Sequence, residues 1–178
     1  MRTLKVVDAI ELATAYAAAR YGVRVDGAEF PLLVGERAGR LESHWPARSY
    51  AFITAWNPAS EPRPDDANQQ ADAQLVARLE ALGIQREPAW AEGPDGKWHE
   101  PGWLLADMDV PTASALGDSL GQAAVLAWDS GQPVTLRMLA PGPSREAWKQ
   151  AVSNRELPSD AASCVHWKDQ QRDAPSNG

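Results

Sequence analysis

The hydrophobic positions near the start of the chain predict a helix followed by a β-hairpin. Residues 6–20 are rich in alanine, and their apolar positions fall on one helical stripe, at Ile10, Ala13 and Ala17. Two runs of β-branched and aromatic residues follow, at 21–25 and 30–34. They are joined by Asp26-Gly27, a pair that favours a tight hairpin turn. Residues 38–46 then predict a short helix or a loop.

The run from Tyr50 to Pro58 predicts a central strand. Aromatic and β-branched residues dominate it, and both of its faces are apolar. A strand of this kind is typical of the middle of a sheet that is covered on both sides. The pattern stops at Asn57-Pro58, a pair that starts a turn. A polar amide at the end of a buried strand marks a candidate position for ligand contacts.

Two later helices are indicated by apolar spacing and by their end signals. The first has apolar positions at spacings of four, four and three residues, at Ala71, Leu75, Leu79 and Leu82. Gly83 is expected to cap its end. The second helix opens at Pro111, runs to Leu120 and ends at Gly121.

Four further strands are predicted in the second half of the chain. Residues 85–91 and 104–110 form two of them, with the turn signal Gly93-Pro94-Asp95-Gly96 after the first. The second alternates apolar and polar positions, which predicts a half-exposed strand. Residues 123–128 are strongly apolar, and residues 134–139 form the last strand after a polar turn.

The order of these elements predicts the fold class. From Tyr50 onward it is strand, helix, strand, strand, helix, strand, strand, and its first six elements follow the split βαβ, or ferredoxin-like, order. We therefore predict an α+β fold with a mainly antiparallel sheet, a ferredoxin-like core and an extra N-terminal helix and hairpin. Two helices on one face of the sheet is the simplest packing for this order.

Length and composition predict one domain with a C-terminal extension. Residues 1–140 are expected to form a single α+β domain, whose sheet core spans residues 50–139. From residue 141 to 178 the composition changes to Pro, Ser, Asp, Gln and Asn, which predicts a short helix at 144–152 and a loosely ordered tail. The alternative is that Trp167 docks onto the domain.

Charge and cysteine content exclude several classes of function. The formal net charge is −7, so nucleic acid and anionic membrane surfaces are unexpected partners. The single cysteine, Cys164, excludes an intramolecular disulfide framework and a multi-cysteine zinc site. No apolar run has the length needed to span a bilayer. Asp8 and Glu11 interrupt the apolar N-terminal stretch, which argues against a signal peptide, so we expect a cytoplasmic protein.

The string Phe52-Ile53-Thr54-Ala55-Trp56-Asn57-Pro58 resembles the hallmark of a bacterial family of domains of unknown function. That family has an asparagine at the start of the next helix, which Asn68 matches, and a Trp-x-Glu-Pro element that resembles Trp98-His99-Glu100-Pro101. Its Gly-Gln pair after the second helix resembles Gly121-Gln122. The order and spacing agree over roughly residues 16–139. The resemblance supports the domain limits and a shared polar cluster, and it implies no activity.

Six residues near predicted element ends are candidates for one ligand-binding site: Asn57, Asn68, Glu92, Trp98, Glu100 and Gln122. Polar groups that converge from separate segments are a feature of binding sites. The alternative is that the three amides satisfy backbone groups at turns and helix ends. The sequence leaves both interpretations open.

Glu92 and Glu100 also suggest a carboxylate pair across a turn. Two carboxylates can divide into acid and base roles when their environments differ, and they can bind a divalent cation together with Asn57. Surface glutamates without such a role are commoner. No His or Cys spacing predicts a zinc site, and no motif predicts a cofactor or a nucleophile. Asp65 and Asp66, at the predicted start of a helix, disfavour a phosphate there.

Three hypotheses for function follow from the sequence. The first is a non-catalytic binding or regulatory domain for a small polar molecule or a protein segment, with no metal or cofactor. The alternative is a hydrolase-like enzyme that uses Glu92 and Glu100, with or without a divalent cation, so enzymatic activity is left open. The third is a homodimer formed through an exposed sheet edge at residues 134–139.

Overall fold

A computed structural model describes residues 6–154 and 157–168 of the chain, with side chains from residue 9 onward. Its helices are α1 (Val6–Ala18), α2 (Gly39–His44), α3 (Asp65–Ala81), α4 (Val110–Ser119), α5 (Arg145–Asn154) and α6 (Ser159–Ser163). Its strands are β1 (Arg20–Val25), β2 (Ala28–Leu32), β3 (Ser49–Ile53), β4 (Arg86–Glu92), β5 (His99–Ala106), β6 (Ala124–Asp129), β7 (Leu136–Met138) and β8 (Val165–Trp167). A short 3-10 turn covers Pro58–Ser60. No helix among the described residues is long and apolar enough to cross a membrane.

The strands form one mainly antiparallel sheet of an α+β fold, as the sequence predicted. Its strand order is β2-β1-β4-β5-β3-β6-β7-β8. Every neighbouring pair is antiparallel except β7 and β8, which run parallel. The predicted N-terminal hairpin is present as β1 and β2. Asp26 and Gly27 both have positive φ, 50° and 80°, which is the backbone twist that a two-residue hairpin turn requires.

Strand β3 lies inside the sheet and is covered on both sides, which confirms that the Tyr50 run contains a central strand. The strand is shorter than predicted: it ends at Ile53, and residues 54–57 lie in the connection that follows it. All its residues are buried, and it pairs with β5 and with β6. Ile53 packs with Leu75 and Leu79 of α3 and with Leu116 of α4. Phe52, on the opposite face of β3, packs into a second core cluster that includes α1.

Helices therefore cover both faces of the sheet, and the prediction of two helices on one face was incomplete. Helices α3 and α4 lie on one face, while α1 lies on the other and contacts β7. The buried stripe of α1 is Ala9, Ala13 and Ala17; Ile10 is only partly buried. Small alanine side chains allow α1 to approach the sheet and the neighbouring helices closely.

Two predictions in the α3–β5 region were wrong: the burial of Leu82 and the limits of strand β5. Leu82 is 64% exposed, because α3 ends at Ala81 and Gly83, with φ 67°, turns the chain away. Strand β5 begins and ends earlier than predicted, and its last three residues are all buried. The alternation suggested a half-exposed strand, but helices on both faces bury both sets of side chains.

The segment after residue 140 adds structure to the sheet. Helices α5 and α6 contact α1, and β8 extends the sheet beside β7. Trp167 is only 2% exposed, and its ring contacts that of Trp148 edge-on at 5.6 Å between centroids. Docking of Trp167, the alternative to a loose tail, is therefore observed; the prediction for residues 169–178 lies outside the described residues.

The prediction that residues 134–139 form an exposed edge of the sheet was wrong. Strand β7 lies between β6 and β8, so its backbone groups are paired on both sides. The terminal strands of the sheet, as far as the structure describes the chain, are β2 and β8.

Candidate functional site

A cavity of about 320 Å³ lies between α1 and the face of the sheet that α1 covers. Helix α1, strands β1, β3, β4 and β6, and the hairpin that joins β4 to β5 supply most of its wall. Its lining is mainly apolar and aromatic, with a few hydroxyl, amide and carboxyl groups. The wall includes Leu12, Tyr16, Ala19, Tyr21, Phe52, Thr54, Ser60, Ala91, Glu92, Trp98, Glu100, Gln122, Ala124 and Leu136.

Glu100 is the carboxyl group that the sheet directs into this cavity. The register pairs Ala91 with Glu100 and Tyr21 with Ala91, so these three residues share one face of the sheet. Burial raises the pKa of the Glu100 carboxyl above its ordinary value, while hydrogen bonds from Asn57 and Trp98 act in the opposite direction. Glu100 forms no ion pair with any described residue.

Asn57 and Asn68 hold Glu100 from behind the cavity wall. The Asn57 Nδ2 donates to Glu100 Oε1 at 2.9 Å, and its Oδ1 accepts from Asn68 Nδ2 and from the Arg63 backbone N–H, each at 2.9 Å. The Asn57 backbone N–H donates to Asn68 Oδ1 at 2.9 Å. Asn68 is buried on α3, with 1% exposure. The two amides thus tie the end of β3, the start of α3 and Glu100 into one network.

The loop after β3 closes one side of the cavity through an unusual backbone conformation. Asn57, Ala59 and Ser60 have positive φ, 42°, 55° and 59°, a region that residues other than glycine adopt rarely. The loop brings the Ser60 hydroxyl into a hydrogen bond with the Tyr16 hydroxyl of α1. This contact joins the predicted central strand to the N-terminal helix.

The two tyrosines that line the cavity with Glu100 are shielded from solvent, Tyr21 fully and Tyr16 in part. Burial is the main cause that raises the pKa of both Tyr16 and Tyr21, and the Glu100 carboxylate raises it further. The Tyr21 hydroxyl donates to the Tyr16 backbone carbonyl at 2.9 Å. The Tyr21 ring meets Phe52 edge-on, with centroids 5.4 Å apart.

Gln122 and Thr54 hydrogen-bond to backbone carbonyls beside the cavity. Gln122 Nε2 donates to the Trp56 carbonyl at 2.9 Å, which links the end of α4 to the end of β3. The Thr54 hydroxyl donates to the Pro101 carbonyl at 2.8 Å. Both side chains therefore position the backbone and also contribute to the cavity wall.

Glu92 does not face Glu100. The register pairs Glu92 with His99 and Ala91 with Glu100, so the two glutamates leave the hairpin on opposite faces. The Glu92 carboxylate lies 3.2 Å from His99 Nδ1 at the mouth of the cavity. Among the described residues, no group of three or more His, Cys, Asp and Glu side chains is placed to hold a metal ion.

The structure thus separates the six candidate residues into three groups. Trp98, Glu100 and Gln122 line the cavity, and Glu92 lies at its mouth. Asn57 and Asn68 support Glu100 and the loop after β3. Their amides bond to backbone groups at a turn and a helix start, as one of the two interpretations predicted, and they also belong to the same cluster as Glu100.

The contribution of α1 to this site was not predicted. Leu12 and Tyr16 of α1 line the cavity four residues apart, and Ala19, which follows the helix, continues the same side three residues later. These residues form a second apolar stripe beside the buried alanines. The sequence therefore contained a signal for this contact, because a second apolar stripe predicts that the helix packs against a second surface. Tyr21 and Phe52 were expected only as strand residues.

Comparison with protein families gave one match. A family model described as a protein of unknown function (DUF3293) matches residues 53–125. The match is shorter than the resemblance predicted over residues 16–139. It contains all six candidate residues but not α1, which supplies Tyr16 to the cavity. The comparisons with curated proteins and with solved structures found no match.

Proposed function

We propose that the protein is a non-catalytic binding or regulatory domain whose ligand is a small molecule with an apolar body and a polar end. The observation that carries this proposal is the cavity between α1 and the sheet, with Glu100 in its wall. A volume of about 320 Å³ suits a small molecule better than a protein segment. The sequence predicted a small polar molecule or a protein segment, and the mainly apolar lining supports a molecule that also has an apolar part.

The hydrogen bonds of Asn57 and Asn68 support a role for Glu100 in ligand binding, because they fix the position of its carboxyl group in the cavity wall. Asn57 uses both of its amide atoms and its backbone N–H to hold Glu100 and Asn68 in place. A side chain fixed in this way loses little conformational entropy when a ligand arrives, which favours affinity. No comparable arrangement favours the hydrolase hypothesis, because Glu92 and Glu100 leave the β4–β5 hairpin on opposite faces.

We also infer that β3 to β6, with α3 and α4, form a ferredoxin-like unit. The antiparallel order β4-β5-β3-β6 supports this inference, as does the packing of α3 and α4 on one face. In this interpretation α1 is an addition that covers the free face of the unit and creates the cavity. The single cysteine supports the further proposal of a cytoplasmic location.

Binding of a neutral fluorescent dye tests the proposed function. We expect N-phenyl-naphthylamine to bind the protein with a rise in fluorescence, and Ala91→Leu to weaken this binding by about tenfold or more, equivalent to about 1.4 kcal/mol. Ala91 lines the cavity, so the larger side chain fills part of it. Filling a cavity typically leaves stability unchanged or raises it.

Ala28→Leu is the matched control, because Ala28 is an exposed strand residue at the β1–β2 turn. It should bind the dye as the unmodified protein does. Equal binding by Ala91→Leu and Ala28→Leu, or no binding by the unmodified protein, would contradict the proposal.

A further inference from the structure

We propose that the cavity selects a cationic ligand, a protonated amine or a methylated ammonium with an apolar body, whose charge contacts the Glu100 carboxylate. This inference deepens the proposed function and rests on it. It concerns which chemical class of small molecule the same cavity accepts.

The charge of the cavity is the first observation behind this inference. Among the described residues that line it, the only acidic side chains are Glu92 and Glu100, and none is Lys, Arg or His. Glu100 is half-buried, yet its side chain accepts a hydrogen bond from a neutral donor, the Asn57 amide, and from no cationic side chain among the described residues. Buried carboxylates in proteins usually have a cationic partner. A ligand cation supplies the partner that the described protein residues do not.

The aromatic residues of the wall are the second observation. Tyr16, Tyr21, Phe52 and Trp98 all line the cavity. The faces of such rings carry partial negative charge and attract ammonium groups, most strongly where water is excluded. Tyr21 is buried and Tyr16 is half-buried, so the protein shields this part of the cavity from much of the solvent. Carboxylate and aromatic faces together favour a cation over a neutral molecule of the same shape.

The same groups disfavour an anionic ligand. A carboxylate or phosphate placed in the cavity meets the Glu100 carboxylate and no basic side chain among the described lining residues. Like charges at short distance in a poorly solvated site repel strongly. The net charge of −7 adds to this repulsion and attracts cations at long range.

Three probes that differ only in their end group test the inference: phenethylamine, phenylethanol and phenylpropionate. Isothermal titration calorimetry at neutral pH should show that the amine binds about tenfold more tightly than the alcohol, because only the amine brings a positive charge to the Glu100 carboxylate. The carboxylate should bind most weakly. Glu100→Gln keeps the shape of the side chain and should remove most of the preference for the amine over the alcohol.

Glu146→Gln is the matched control, because Glu146 is an exposed residue of α5 and the substitution makes the same change in charge. It should keep the preference for the amine. The preference in the unmodified protein tests the inference even if Glu100→Gln does not fold.

The outcomes separate this inference from the proposed function. If amine and alcohol bind with equal affinity, or the carboxylate binds best, the cavity is a binding site and the inferred cation preference is wrong. If none of the three probes binds and the neutral dye does not bind either, the proposed function fails and the inference fails with it.

Discussion

Asn57 is the residue on which most of the candidate site depends. Its side chain contacts Glu100, Asn68 and the Arg63 backbone, and its own φ of 42° directs the chain out of β3. Asparagine adopts this left-handed conformation more readily than most residues. One side chain thus sets both the turn after the central strand and the position of the carboxyl group in the cavity.

Substitution of Asn57 should separate its side-chain role from its backbone role. Asn57→Ala removes the hydrogen bonds to Glu100 and Asn68, so we expect it to lower the free energy of unfolding by about 1–3 kcal/mol. Asn57→Gly removes the same bonds but accepts positive φ without strain. It should therefore be less destabilising than alanine by about 1 kcal/mol. Urea denaturation measures both variants.

Asn154→Ala, an exposed substitution at the end of α5, is the control for loss of an amide and should leave stability nearly unchanged. Equal stability of the alanine and glycine variants of Asn57 would show that the backbone conformation contributes nothing.

At the scale of elements, the C-terminal segment is held by a tryptophan. Strand β8 is short, and its parallel pairing with β7 contributes few hydrogen bonds. Trp167 anchors it by packing against Trp148 and the α1 side of the sheet. Its indole Nε1 is buried and has no hydrogen-bond partner among the described residues. The apolar area of the ring therefore holds the element in place.

Two substitutions of Trp167 should differ for this reason. Trp167→Ala leaves a cavity and should destabilise the protein by about 3–5 kcal/mol. Trp167→Phe keeps much of the apolar contact and removes the unpartnered N–H, so its effect should be clearly smaller. Thermal unfolding compares them with Trp98→Ala, which removes a 42% exposed side chain and should change stability by less than about 1 kcal/mol. A Trp167→Ala variant as stable as Trp98→Ala would mean that β8 is not held by this contact.

At the scale of the whole molecule, the buried carboxyl group makes stability depend on pH. The pKa of Glu100 is raised in the folded protein, so the folded state retains this proton over a pH range in which the unfolded chain has lost it. The contribution of Glu100 to stability is therefore more favourable at low pH. It declines as the pH rises from the ordinary glutamate pKa through the raised pKa of the folded state.

Glu100→Gln removes this dependence without changing the shape of the side chain. We expect the free energy of unfolding of Glu100→Gln, minus that of the unmodified protein, to increase as the pH rises through this window. Urea denaturation at a series of pH values measures the difference, in which the contributions of other groups such as Glu87 largely cancel. A difference that is constant or that decreases with pH would contradict the burial of the Glu100 carboxyl group.

The sequence by itself determined the local elements and their order. Periodicity predicted α1 and α3, Asp26-Gly27 predicted the hairpin, and the doubly apolar run predicted that β3 lies inside the sheet. These signals are local, since they depend on helical spacing, strand alternation and turn conformation. The α+β class with a mainly antiparallel sheet followed from them. The candidate residues Asn57, Asn68, Glu100 and Gln122 were also identified from the sequence as neighbours of element ends.

Only the tertiary structure decided what those residues do together. The register of β4 and β5 placed Glu92 and Glu100 on opposite faces of the sheet. A shift of either strand by one residue would have moved its glutamate to the other face. The packing of α1 over the sheet created the cavity, and it placed Tyr16 in the same cavity wall as Glu100. Trp167 packs in the core cluster that contains α1, and the C-terminal helices α5 and α6 contact α1. Each of these contacts joins residues far apart in the chain, and no local periodicity encodes which faces meet.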